Sequence, residues 1–167
     1  MSTRSQAGPV IMLCGMSVCA LAQTSGDLST VLHVTRVVTQ ADGTESHQSA
    51  DSAKPGDMLE YVAEYHNGST QVIRQLAATL PIPDGTEFVP TSRLPAGALA
   101  STDGTHFAPM PLTRKVIEAN GKRVEQPIPY REYRFLRWPS QDLAPGQTLQ
   151  VGARARLSNE PGSKPAH

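Results

Sequence analysis

The chain has 167 residues, with 15 Lys+Arg against 15 Asp+Glu, and 38% of it is apolar. That length suits one domain with a modest core, and the balanced charge excludes a global bias toward nucleic acid or an anionic membrane. The charge is nevertheless uneven: residues 23–110 hold 4 basic and 10 acidic side chains, residues 111–167 hold 10 and 5. On one domain this reads as two solvated faces, or as complementary charge for head-to-tail association or an anionic partner.

Taken in chain order, Arg4 precedes an apolar run over residues 8–22. The run has the length of a signal-peptide core and is too short to span a bilayer as a helix. It ends in Ala20-Leu21-Ala22, the small-x-small pattern of a cleavage site, and polar Gln23-Thr24-Ser25-Gly26 follows. Residues 1–22 are therefore expected to be a signal peptide cut before Gln23. The expected location is periplasmic or extracellular, with no stable membrane insertion after cleavage. Cys14 and Cys19 both fall in that segment, so residues 23–167 hold no disulfide and no thiolate metal site.

Beyond Gln23, turn signals recur at Asp42-Gly43, Lys54-Pro55-Gly56-Asp57, Asn67-Gly68, Pro83-Asp84-Gly85, Pro95-Ala96-Gly97, Asp103-Gly104, Asn120-Gly121 and Ala144-Pro145-Gly146. Runs of strand length separate them, and no long stretch keeps a helical period. Residues 23–27 read as flexible. Residues 28–39 form a β-branched first strand of mixed parity, either buried on both faces or at an edge. Residues 57–66 alternate, with Leu59, Tyr61, Ala63 and Tyr65 on one face and Glu60, Glu64 and His66 on the other. Strands are expected over 72–80 and 87–89, and hairpins over 98–108 and 112–125. An aromatic and arginine-rich strand follows over 130–138. Residues 147–157 make the clearest strand, with Leu149, Val151, Ala153, Ala155 and Leu157 inward and a basic outer face. Phe88 and Trp138 are expected core anchors. The polar tail, residues 158–167, is expected to be disordered. The fold class is all-β: an antiparallel β-sandwich of about seven to nine strands over residues 23–157, preceded by the signal peptide.

Three stretches carry a resemblance. The first is Lys54-Pro55-Gly56-Asp57 leading through a strand to Asn67-Gly68. The second runs from Leu80 through Pro83-Asp84-Gly85 to Phe88-Val89. The third is Trp138 with Leu143-Ala144-Pro145-Gly146-Gln147 before the closing strand. In order and spacing they resemble the conserved-repeat domain of prokaryotic surface proteins, known as domain of unknown function number eleven. The turn before Phe88 is longer than the family's usual form. The resemblance covers most of residues 50–157. It implies an immunoglobulin-like sandwich with a structural or adhesive role and no assigned catalytic residues.

The chemistry-bearing residues point the same way. His33, His47, His66, His106 and His167 show neither the i,i+2 nor the i,i+4 spacing of a metal site. Glu60 and Glu64 share a strand face but no calcium-loop motif surrounds them. No GxSxG, SxxK, GxGxxG or P-loop motif occurs, so no enzyme activity and no cofactor are expected. The most suggestive surface is Arg131, Tyr133, Arg134 and Arg137 with Arg154 and Arg156. On neighbouring strands these would hold a polyanion, a carboxylated glycan or an acidic partner. Alternatively the arginine stems cover the sheet and pair with glutamates, with Tyr133 in the core. Asn67-Gly68-Ser69 fits a glycosylation sequon and equally a turn.

The expected function is an exported, non-catalytic structural or protein-interaction module. Its partner is another protein or a second copy, engaged when the first strand adds to a sheet edge. The alternative is a periplasmic module that binds a glycan or small ligand on the Tyr/Arg surface. No nucleic-acid partner is expected. An exposed Trp138 would favour the ligand-binding reading, and a buried one the scaffold.

Overall fold

A computed structural model describes residues 23–25 and 28–159. The expected signal segment, residues 1–22, and the tail residues 160–167 lie outside the described residues. The strands are β1 (Gln23–Ser25), β2 (Leu28–Thr39), β3 (Glu45–Ser49), β4 (Met58–Asn67), β5 (Ile73–Leu76), β6 (Thr79–Pro81), β7 (Thr86–Leu94), β8 (Leu99–Ser101), β9 (Thr113–Ile117), β10 (Arg123–Pro127), β11 (Phe135–Arg137), β12 (Gln141–Leu143) and β13 (Thr148–Leu157). Short 3-10 turns occur at Ala50–Ser52 and Tyr130–Glu132.

Alternation in β4 and β13 builds the main sheet. Its order is β1-β2-β4-β13-β7, with β3 also pairing β2. Because side chains alternate across a strand, the inner face presents Leu59, Tyr61, Ala63 and Tyr65 from β4. Val151, Ala153 and Ala155 of β13 and Phe88 of β7 share that face. A three-stranded sheet, β6-β11-β8, and the pair β12-β5 supply Leu80, Ala100, Leu136 and Leu143 to the same buried cluster. All of this is antiparallel pairing around one apolar core. Burial of apolar surface is its main stabilising term.

Aromatic rings close one side of that core. Tyr133 is 0% exposed, stacks on Phe88 with ring centroids 5.9 Å apart, and meets Tyr130 edge-on at 5.2 Å. Its buried hydroxyl accepts the Leu112 backbone N–H at 2.7 Å, so the polar tip is satisfied. Trp138 is 3% exposed, and its Nε1–H donates to the Pro95 carbonyl at 2.6 Å.

The turns found in the sequence lock the β4–β13 ladder at both ends. At one end the Gly56 N–H donates to the Leu157 carbonyl and the Leu157 N–H to the Asp57 carbonyl, both at 2.8 Å. The Asp57 carboxylate folds back to accept the Lys54 N–H at 2.9 Å. At the other end sits Asn67, 0% exposed. Its side-chain amide donates to the Gln71 and Leu143 carbonyls at 2.8 Å each, and its Oδ1 accepts from the Ser69 N–H and hydroxyl. Its backbone also exchanges bonds with the 146–147 turn. The sequon asparagine is thus committed to the fold, with both amide hydrogens used.

Some expectations shift. Gln23–Ser25, read as flexible, pairs with Leu28–Thr30 as a hairpin. The polar strand β3 was not signalled, because its side chains are nearly all exposed and carry no alternation. The expected strand over 72–80 splits into β5 and β6, with Gln75 at φ 54 in the left-handed region. The start of the expected 130–138 strand is a 3-10 turn. Ser158 still donates its N–H to the Gly85 carbonyl at 2.7 Å.

Asn67→Ala leaves the buried Leu143 carbonyl without its donor and the Ser69 N–H without its acceptor, while the Gln71 carbonyl keeps the Ser69 hydroxyl. It should lower stability by about 2–4 kcal/mol, read from the urea midpoint, with Asn67→Asp no better because its carboxylate meets the same two carbonyls.

Candidate functional site

The outer face of the main sheet carries a groove, and its origin is a register shift. β13 pairs β4 without interruption, but on its other side the β7 register jumps between Gly152↔Leu94 and Arg154↔Val89. The intervening residues of β7 leave the ladder as a bulge. Ser92 pins it: its Oγ accepts the Arg154 N–H at 2.8 Å and donates to the Val89 carbonyl. The raised end of β7 makes a wall of Leu94 and Pro95 over a floor of Val62 and Gly152. Glu60 and Gln150 close a cavity of about 430 Å³. Gly152 is what keeps the floor low. A Cβ there would sit 3.1 Å from the Tyr61 carbonyl oxygen and 3.4 Å from the Val62 side chain.

One border of the groove is charged. Arg154 donates through both terminal nitrogens to the Glu45 carboxylate at 2.8 Å each, and through Nε to Glu60 at 2.9 Å. Glu45, then Glu60, hold the guanidinium more firmly protonated than usual, and Arg154 in turn holds the Glu45 carboxyl below its ordinary range. His47 lies 3.3 Å from Glu60 and 3.1 Å from the Thr35 hydroxyl. Glu64 accepts a bond from the Gln150 amide and lies 3.8 Å from His33. The acidic and basic halves of the sequence therefore meet within one molecule, as they do again where Arg134 pairs with Asp84 at 2.7 Å.

The six residues expected to form one surface are distributed over three places. Arg131, Tyr133 and Arg134 lie at the 3-10 turn, where Arg134 donates to the Arg131 and Tyr133 carbonyls and Tyr133 is in the core. Arg137 lies on β11 with its guanidinium 3.7 Å from the centre of the Phe107 ring. Arg154 and Arg156 share the outer face of β13, and Arg156 donates to the Gly56 carbonyl at 3.1 Å. β11 pairs with β6 and β8, whereas β13 pairs with β4 and β7, so the two arginine strands are not neighbours. The sequence reading missed Glu45, Ser92 and Leu94. Their meeting depends on a bulge and on a polar strand, neither of which leaves a periodic signal.

The first strand is also placed. β2 pairs β4 from Leu28 to Val37, and its other edge is covered by β1 and β3. Only residues 31–34 of that edge remain uncovered by these strands.

Ser101, Asp103 and His106 meet but are not arranged as a nucleophilic triad. The buried Ser101 hydroxyl donates directly to Asp103 at 3.0 Å and accepts from the Asp103 and Gly104 N–H groups. His106 bonds the other carboxylate oxygen at 2.8 Å. The serine faces the carboxylate rather than the imidazole, so the group orders a turn. In that turn Gly104 is packed so closely that a Cβ would lie 2.9 Å from the Phe135 ring. Among the described residues no group of three His, Cys, Asp or Glu side chains could hold a metal ion, and no helix is long and apolar enough to cross a membrane.

Asp103 is held far below the ordinary aspartate range, first by the His106 side chain and then by the His106 and Thr105 N–H groups. Asp57 is lowered by the Lys54 N–H and by Arg36. Carboxyls depressed in the folded state stabilise it above their unfolded values, near pH 4, and lose that contribution as pH falls toward the folded values. The urea midpoint should therefore be flat above about pH 5 and drop below about pH 4. Asp103→Asn should make the drop shallower while lowering the neutral-pH plateau. Comparison with known protein families, curated proteins and solved structures finds no match to the chain.

Proposed function

We propose that the chain is an exported, non-catalytic protein-interaction module built on an immunoglobulin-like β-sandwich. The observation that carries this reading is the fate of its aromatic and motif residues. Phe88, Tyr133 and Trp138 are buried, and Asn67 and the two glycine turns brace the central ladder. What the sequence invests in large rings and special turns goes into the framework. The spacing of those turns is also what resembles the repeat domain of prokaryotic surface proteins. The export component rests on residues 1–22, whose charge, apolar run and small-x-small ending are those of a signal peptide.

A second reading is a module that binds a glycan or small ligand. It is favoured by the half-buried Phe107 and Phe135 with Arg137 laid across the former. Such a surface would stack an apolar sugar face and bond its hydroxyls.

The full chain produced in a bacterial host should be recovered outside the cytoplasm with Gln23 at its N-terminus by mass spectrometry. Unprocessed cytoplasmic protein would end the export reading. Titration of the recovered protein with neutral and acidic oligosaccharides, followed by amide NMR, should show no saturable shift. Saturable shifts around Phe107 and Phe135 that vanish in Arg137→Ala would move the conclusion to the second reading.

A further inference from the structure

The hairpin β9–β10 is the part of the molecule least explained by the core. Its pairing runs from Thr113↔Pro127 to Ile117↔Arg123, and every residue of the two strands is exposed except Val116 and Val124, which are half-buried. An isolated two-stranded hairpin is marginal in water. At the base of this one the Ile128 N–H donates to the Leu112 carbonyl and Arg114 forms a two-pronged pair with Glu132 at 2.8 and 3.3 Å. Toward its tip stand Lys115, Ile117, Lys122 and Arg123. Lys115, Lys122 and Arg123 take part in no ion pair among the described residues, unlike Arg114, Arg134 and Arg154. Ile117 is 70% exposed.

The groove has the complementary features. Leu94 on its wall is 69% exposed, and the floor of Val62 and Gly152 is apolar. The described side chains of the same sheet face include the carboxylates Glu45, Glu60, Glu64 and Glu87 against the guanidiniums of Arg154 and Arg156. An apolar slot in an acidic face fits an arm whose remaining charge is positive, Lys115, Lys122 and Arg123 against Glu118 and Glu125, with an apolar side chain near its tip. The arm and the groove are different surfaces, so the contact they make between molecules is head-to-tail.

We propose that the β9–β10 arm of one molecule docks in the outer-face groove of a second copy, with Ile117 against Leu94 and Val62 and with Arg123, its cross-strand partner on the same face of the arm, facing Glu64. This rests on the interaction-module reading and gives it a partner. Docking covers the exposed leucine and isoleucine together and gives Arg123 a carboxylate partner. It leaves the pairs of Arg154 intact. Because β2 is already covered on most of both edges, assembly through the arm requires no strand to leave its sheet.

Sedimentation velocity of the protein recovered after export, over a range of concentrations, tests the proposal. Oligomers larger than a dimer should form as concentration rises and weaken with added salt. Ile117→Glu should weaken association by about tenfold or more with an unchanged melting temperature, as expected for a side chain already in water. Arg123→Glu and Glu64→Lys should each associate about tenfold or more weakly alone, and an equimolar mixture of the two should assemble again. A wild-type protein that stays monomeric at low salt overturns the docking, while the export and oligosaccharide results judge the module reading separately. Assembly unaffected by Ile117→Glu and by the reversals also overturns it, and leaves self-association through another surface.

Discussion

Between Met58 and Asn67 the chain must do two things at once. It must bury Leu59, Tyr61, Ala63 and Tyr65 on one face, and it must hold β13 in a single register. A slip of one residue would turn every inward side chain of β13 to water. The clamps at the two ends prevent it. Gly56 and Asp57 are bonded to Leu157 at one end, and Asn67 to the 146–147 turn at the other. Asn67 is the more consequential of the two clamps, because a fully buried amide with every donor and acceptor engaged tolerates one geometry only. Its bond to Leu143 also ties the main sheet to β12, so the relation of the sheets depends on the same side chain.

With that ladder fixed, the rest of the main sheet grows outward from it, and the outer edge is where it becomes irregular. The β7 register cannot follow β13 through Gly152 and Arg154. The bulge that results is secured by one serine hydroxyl. It supplies both the wall of the groove and the position from which Leu94 meets solvent. The groove is thus a product of strand pairing rather than of a dedicated loop. Its floor stays open because position 152 has no side chain.

Charge plays two distinct parts. Arg154, with a two-pronged contact to Glu45 and a third bond to Glu60, joins β3, β4 and β13 across the sheet face. Pairs of this kind define geometry more than they add stability, since partly exposed ion pairs contribute little. The arm's Lys115, Lys122 and Arg123 have no such partners among the described residues, and in the proposed assembly Arg123 meets the face of a neighbour.

The sequence by itself determined the strands whose residues alternate. The inward sets of β4 and β13, the hairpin about Asn120-Gly121, and the burial of Phe88 and Trp138 were all legible, whereas of the hairpin expected about Asp103-Gly104 a single Ala100–Ala108 bridge forms and β8 pairs with β11. Local periodicity and turn chemistry carry that information, and burial then follows. Only the tertiary structure decided which strands are neighbours. β11 and β13 both carry arginines, yet they lie in different sheets, and this scattered the one surface the sequence suggested. The groove was equally illegible, because a bulge is a mismatch between two strands far apart in the chain and neither strand records it alone. Asn67 shows both sides: the chain announces a turn there, but its bonds to Leu143 and to the 146–147 turn exist only once residues some eighty positions away have folded against it.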